Sequence, residues 1–125
     1  LLKDVKIKNI KLPVSAPFHC NLMSKATEIM RNELENIDFK KSNNVLISNV
    51  TADEILNISE LKDLLIKQIE KRVRWRESVI NMINKGVNQF IEIGPGKVLS
   101  GLIKRISSNF DIKSINEVSD LDLND

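Results

Sequence analysis

The stretch Gln89-Phe90-Ile91-Glu92-Ile93-Gly94-Pro95-Gly96-Lys97-Val98-Leu99 decides the fold class. Its first part is dominated by β-branched and aromatic side chains and reads as a short buried strand. Gly94-Pro95-Gly96 then turns the chain, and Val98, Leu99, Leu102, Ile103 and Ile106 follow at helical spacing. A strand passing through a tight turn into an amphipathic helix is half of an α/β layer unit. Working outward, Val45-Leu46-Ile47-Ser48-Asn49-Val50 reads as a second buried strand of the parallel kind, and residues 112–115 as a short final one.

Helical patterns alternate with these runs. Leu22, Ala26, Ile29, Met30 and Leu34 mark one face of a helix running to about residue 36, with Asn21 as its N-cap. Leu61, Leu64, Leu65, Gln68, Ile69 and Val73 share a broad face of another, capped by Ser59. Residues 77–85 give a third, with Val79, Ile80, Met82 and Ile83 inward and Gly86 as its stop. Residues 5–12 alternate imperfectly, as in a strand or extended lead-in, and 117–125 form an acidic, fraying tail. The expectation is an α/β fold of short, mostly parallel strands with packed helices.

Composition narrows the class. The chain has 125 residues, 42% hydrophobic and 29% charged, which suits one domain of modest size. Aromatic residues make up only 4% and tyrosine is absent, so the core must come from Ile, Leu, Val and Met. A net charge of +2, with few aromatic stacking platforms, argues against nucleic acid as a partner. One cysteine excludes an internal disulfide, and one cysteine with one histidine cannot build a Cys/His zinc site, so no metal is expected. No apolar run approaches the roughly 18 residues needed to span a membrane. No signal-peptide pattern opens the chain, so a cytoplasmic setting is expected. The chain starts Leu1-Leu2-Lys3 without an initiator methionine, which suggests that sequence precedes it.

Chemistry concentrates in Leu12-Pro13-Val14-Ser15-Ala16-Pro17-Phe18-His19-Cys20, which holds the only histidine, the only cysteine and two of the three prolines. Histidine is the natural general base near neutral pH, and Pro13 and Pro17 restrict the backbone that delivers it. A single histidine carries no motif geometry, so a structural His19 remains open on the residues alone. Cys20 reads as a small buried hydrophobe before it reads as a nucleophile, because adjacent residues seldom point the same way. Gly94-Pro95-Gly96-Lys97 resembles a phosphate loop, but Ile91 and Val98 stand where that pattern needs Gly and Ser/Thr. A tight strand-to-helix turn fits better. Lys67, Lys71, Arg72, Arg74 and Arg76 form a basic run, either a solvated face or a surface for an acidic partner or cofactor phosphates. Asn49 is either a turn residue or a polar group facing a cleft.

Four collinear blocks go further. Leu12-Pro13-Val14-Ser15-Ala16-Pro17-Phe18-His19-Cys20-Asn21-Leu22-Met23 resembles the histidine motif of the malonyl-CoA:acyl carrier protein transacylases. Ile47-Ser48-Asn49-Val50-Thr51-Ala52 resembles that family's strand ending in Asn-Val. Leu65-Ile66-Lys67-Gln68-Ile69 with Val73-Arg74-Trp75 resembles its Gln-Leu and Val-x-Trp segment, and residues 92–102 resemble its Glu-x-Gly-Pro-Gly block.

The resemblance implies the C-terminal part of an α/β-hydrolase-like acyltransferase core. Residues 1–12 would be the exit from a small inserted subdomain, 13–116 the core portion and 117–125 the tail. In the family a serine on a Gly-His-Ser-x-Gly elbow attacks malonyl-CoA, and malonate passes to the phosphopantetheine thiol of acyl carrier protein. By resemblance His19 is the general base and the backbone carbonyl of Gln68 orients it. Phe18 goes with malonyl over methyl-branched substrates, a discrimination of about 1–3 kcal/mol. No bound cofactor is implied, the coenzyme A thioester being a substrate.

The departures shape the expectation equally. No Gly-x-Ser-x-Gly occurs in these 125 residues, so the nucleophile lies elsewhere, and the family's malonate-binding arginine and oxyanion donors also come from upstream. Arg72 stands where many members carry proline. The chain alone should be inert and should expose apolar surface, needing a missing N-terminal half as partner. Two rivals are a non-catalytic remnant or carrier-protein-binding module, and an acyltransferase unit of a polyketide synthase. Ser114-Ile115-Asn116-Glu117 favours the stand-alone transacylase.

Overall fold

The computed structural model describes residues 14–121, so the lead-in at 5–12 and the end of the tail at 122–125 lie outside the described residues. The chain forms α1 (Ser24–Glu35), α2 (Ile58–Lys67), α3 (Trp75–Asn84), β1 (Gln89–Ile93), α4 (Val98–Ile106) and β2 (Asp111–Ile115), with 3-10 turns at Asn21–Met23 and Val118–Asp120. β1 and β2 pair in parallel, Gln89 opposite Asp111 through to Ile93 opposite Ile115, with α4 as the crossover between them. The chain is therefore α/β, with the strand–turn–helix stretch at its centre.

The core gathers on one side of this unit. Val79 of α3, Phe90 of β1 and Ile103 of α4 are buried together, Val79 completely, with Trp75, Met82, Ile106 and Ile112 packed around them. Phe90 meets Phe110 edge to face, ring centroids 5.6 Å apart at 88°. The other side is bare. Ile91 and Ile93 alternate with Phe90 along β1, and Ile93 is 80% exposed. α1 buries only Leu34, against α2, and leaves Leu22 in the preceding turn, Ile29 and Met30 exposed. Among the described residues nothing covers this apolar surface.

Several local expectations are corrected. Residues 45–50 do not form a buried parallel strand: Val45 and Leu46 are exposed, and among the described residues the only pairing is one antiparallel bridge, Ile47 with Glu54. The β-branched run has no neighbouring strand among the described residues, so its hydrogen bonds turn back locally, Ser48 N–H to Asp53 O and Ile55 N–H to Leu46 O. Asn21 does not cap α1 but begins the 3-10 turn. α2 is capped by Asn57 rather than Ser59. The Asn57 side chain accepts from Glu60 N–H at 2.9 Å, while the Glu60 carboxylate takes Leu56 N–H at 2.9 Å. The Asn-x-x-Glu spacing carried that signal in the sequence. The tail does not fray at its start: Glu117 and Asp120 form a capping box around the second 3-10 turn.

Gly86 and Gly96 each meet a conformational demand. Gly86 at φ +93 ends α3, with Gly86 N–H on Ile83 O and Val87 N–H on Met82 O, a Schellman closure. Gly96 adopts φ +92 after β1, where an L side chain would be strained although space is open.

Candidate active site

His19 sits in the left-handed region, φ +60, in a short turn closed by Phe18 N–H on Ala16 O and Cys20 Sγ on Pro17 O at 3.1 Å. It is held by the end of α2. The last carbonyls of a helix have no intrahelical donor, and here two consecutive ones take His19: its N–H reaches Ile69 O at 3.1 Å and its Nδ1 lies 2.8 Å from Gln68 O. A carbonyl oxygen can only accept, so in the neutral ring this contact favours the tautomer with its proton on Nδ1 and its lone pair on Nε2. The ring is exposed, and Phe18 beside it is exposed as well.

Asn49 joins this group through Gln68. Its Nδ2 donates to Gln68 Oε1 at 3.2 Å, and its own carbonyl accepts Arg74 N–H at 2.8 Å. Arg74 also donates from Nη1 to Thr51 O at 2.7 Å, so the first residue before α3 ties the 49–51 turn to the end of α2. His19, Gln68 and Asn49, far apart in sequence, thus converge. The basic run does not form one face: Lys67 pairs with Asp63, Arg72 and Arg74 with Glu77, and the stretch bends between α2 and α3. Among the described residues no group of His, Cys, Asp or Glu gathers to hold a metal ion, and no helix is long and apolar enough to cross a membrane.

Two hollows open on the surface. One of about 310 Å³ runs between Ile47 and Asn49 on one side and Phe90, Ile91 and Glu92 of β1 on the other, with Trp75 in its wall. The other, about 370 Å³, lies by Lys40, Lys41, Leu46 and Leu56. Neither is lined by His19, whose polar partners converge outside both hollows.

The Gly94-Pro95-Gly96 turn fills much of its own donor set with protein acceptors. Glu92 Oε1 accepts Leu99 N–H at 3.0 Å and its Oε2 accepts Ser100 N–H at 2.8 Å, filling the start of α4 with a carboxylate from β1. Gly96 N–H is taken by Asn116 Oδ1 at 2.6 Å and Gly94 N–H by Ile115 O at 2.9 Å. The N–H groups of Gly94, Gly96, Leu99 and Ser100 are therefore already satisfied and do not form a phosphate cradle. The Ser100 hydroxyl, then the Ser100 and Leu99 N–H groups, hold the Glu92 carboxyl below its ordinary value of 4.5. A depressed carboxylate stabilises the fold above its unfolded pKa, and that stability is lost as pH falls through the folded value. Acid titration followed by circular dichroism should therefore show Glu92→Gln less stable than the parent at neutral pH, with the gap closing below about 4.5. A gap constant across pH would contradict the cap.

The site's wider context comes from known proteins. No family model matches the chain. A malonyl CoA-acyl carrier protein transacylase of Bacillus subtilis is 40% identical over 114 residues, 91% of this chain and 36% of that protein. The crystal structure of a malonyl CoA-acyl carrier protein transacylase from Clostridium perfringens superposes with a TM-score of 0.86 at 39% identity, covering 95% of this chain and 38% of that one. A malonyl-transacylase solved in complex with a type II polyketide acyl-carrier protein gives a TM-score of 0.80 at 35% identity, covering 87% of this chain and 35% of that one. The chain spans well under half the length of each. With its fold and four sequence blocks in common with these proteins, the chain belongs to the malonyl-CoA:acyl carrier protein transacylase family, as a C-terminal portion of it.

Proposed function

We propose that the chain is the base-bearing part of an acyltransferase that moves malonyl from coenzyme A to the phosphopantetheine thiol of an acyl carrier protein. The observation that carries this reading is the His19 Nδ1–Gln68 carbonyl contact at 2.8 Å in a chain of this family. A serine outside these residues is the nucleophile, since no Gly-x-Ser-x-Gly stands in the 125. His19 Nε2 takes the serine proton as Oγ attacks the thioester carbonyl, then returns it to the leaving coenzyme A thiolate. In the second half it takes the proton of the carrier thiol, which attacks the acyl-serine, and gives it back to the serine. The Gln68 carbonyl keeps the Nδ1–H tautomer throughout, as a triad carboxylate does elsewhere but without a full charge.

Phe18, exposed beside His19, is the residue that would occupy the space of an α-methyl and favour malonyl. No cofactor is bound in this scheme. The exposed face of Ile91 and Ile93 and the edge of β1 that no other strand of the described residues pairs with suit an N-terminal partner segment that brings the serine, the malonate-binding arginine and the oxyanion donors. The direct test is malonyl transfer from coenzyme A to a carrier protein, by the chain alone and mixed with a serine-bearing N-terminal portion of a relative. Turnover only in the mixture is expected. Turnover by the chain alone, or none in any folded mixture, would overturn the proposal.

A further inference from the structure

Resting on the reading of His19 as base, we infer that Asn49 is a positioning residue for it, acting through the side chain of Gln68. The direction of the Gln68 carbonyl decides where the imidazole points. Along the backbone the Gln68 peptide is held by the last turn of α2, Gln68 N–H on Leu64 O at 3.0 Å and Ile69 N–H on Ile66 O at 3.3 Å, and His19 N–H takes the following carbonyl, Ile69 O, at 3.1 Å. Helix ends loosen first. The lateral restraint is the amide pair, Asn49 to Gln68 at 3.2 Å, and it comes from a turn that is itself fixed. Arg74 N–H holds the Asn49 carbonyl at 2.8 Å, Ser48 is buried with its Oγ on Val50 N–H at 3.0 Å, and Arg74 Nη1 holds Thr51 O at 2.7 Å. The turn thus works as a bracket that carries the rigidity of α3 to the end of α2. The backbone bonds of the bracket do not need the Asn49 side chain, so removing that side chain breaks the link and spares the turn.

His19 is the only histidine, so its ring nitrogens give the only imidazole signals in a nitrogen-edited NMR spectrum. At a pH where the ring is neutral, the parent chain should show the Nδ1–H tautomer, and Asn49→Ala should show a mixture of both tautomers with circular dichroism unchanged. In the reconstituted enzyme Asn49→Ala should lower kcat about tenfold with KM held, short of the ~10²-fold that a 1 Å misplacement can produce. Asn49→Asp and Gln68→Glu each keep one donor and one acceptor in the pair and should retain the parent tautomer. The double variant, two facing acceptors, should lose it. An Asn49→Ala protein that folds and keeps the pure Nδ1–H tautomer overturns the inference, as does a double variant that behaves like the parent. A parent chain without the Nδ1–H tautomer overturns the reading of the base itself, a distinct outcome.

Discussion

His19→Ala, in the chain combined with a serine-bearing N-terminal portion, is expected to lower kcat/KM for malonyl transfer by about 10²–10⁴-fold, the range a positioned general base contributes. On the proposed mechanism the loss would arise twice, because one ring would serve as base towards the serine and later towards the carrier thiol. Gln68→Ala should keep activity within about tenfold, since its backbone carbonyl, not its amide, meets Nδ1 at 2.8 Å. The contrast between the two variants separates this account from one in which His19 is structural. A structural histidine whose ring tethers the turn at 14–23 to the end of α2 would give similar losses for both. Rates with saturating malonyl-CoA, alongside a thermal-melt check on each variant, make the comparison.

Phe90→Ala is the largest stability change expected. Phe90 is 8% exposed, buried with Val79 and Ile103, and set edge-on to Phe110. Emptying such a position costs about 3–5 kcal/mol, against the roughly 5–15 kcal/mol that holds a whole natural domain. This chain buries few large side chains completely, Val79 alone among the described residues. It should therefore lose its cooperative urea transition on Phe90→Ala. Ile93→Ala, on the bare face of the same strand, should stay within about 0.5 kcal/mol. Equal effects at the two positions would mean that β1 packs on both faces in the chain as it stands.

The sequence was most legible where local chemistry and packing agree. The stretch at 89–99 reads as strand, turn and helix because β-branched residues, two glycines and a helical repeat follow in order, and the chain builds it so. Gly86 ends α3 for the same reason, the left-handed backbone its stop requires. Residues 45–50 do not make the strand their pattern suggests, because an apolar β-branched run shows what a segment can do, while a sheet also needs neighbours. Those neighbours are absent from the described residues, which leaves Val45 and Leu46 in solvent. Asn57 was overlooked as a cap although Glu60 stood three residues on, the spacing that identifies such a pair.

At the candidate site the histidine motif pointed to the residues, but their relation was not visible in the spacing. The contact between His19 and Gln68 bridges 49 positions, and the residues alone offered no reason to join them; only the family resemblance did. The Asn49 link to Gln68, across 19 positions, escaped the sequence altogether, because an Asn at the end of an apolar run serves equally as a turn residue. Glu92 likewise lies within the strand pattern with no sign of its partners, which α4 supplies as two N–H groups for its carboxylate. Long-range polar pairs of this kind are products of the fold, not of local pattern.

Intact-protein mass spectrometry after exposure to malonyl-CoA tests the central claim most directly, on the chain alone and mixed with a serine-bearing N-terminal portion. The account predicts a malonyl adduct in the mixture only, on the serine of the added portion, and its disappearance with His19→Ala. An adduct on this chain by itself, at Cys20 or elsewhere, would contradict the account. So would an adduct in the mixture that forms at the parent rate without His19.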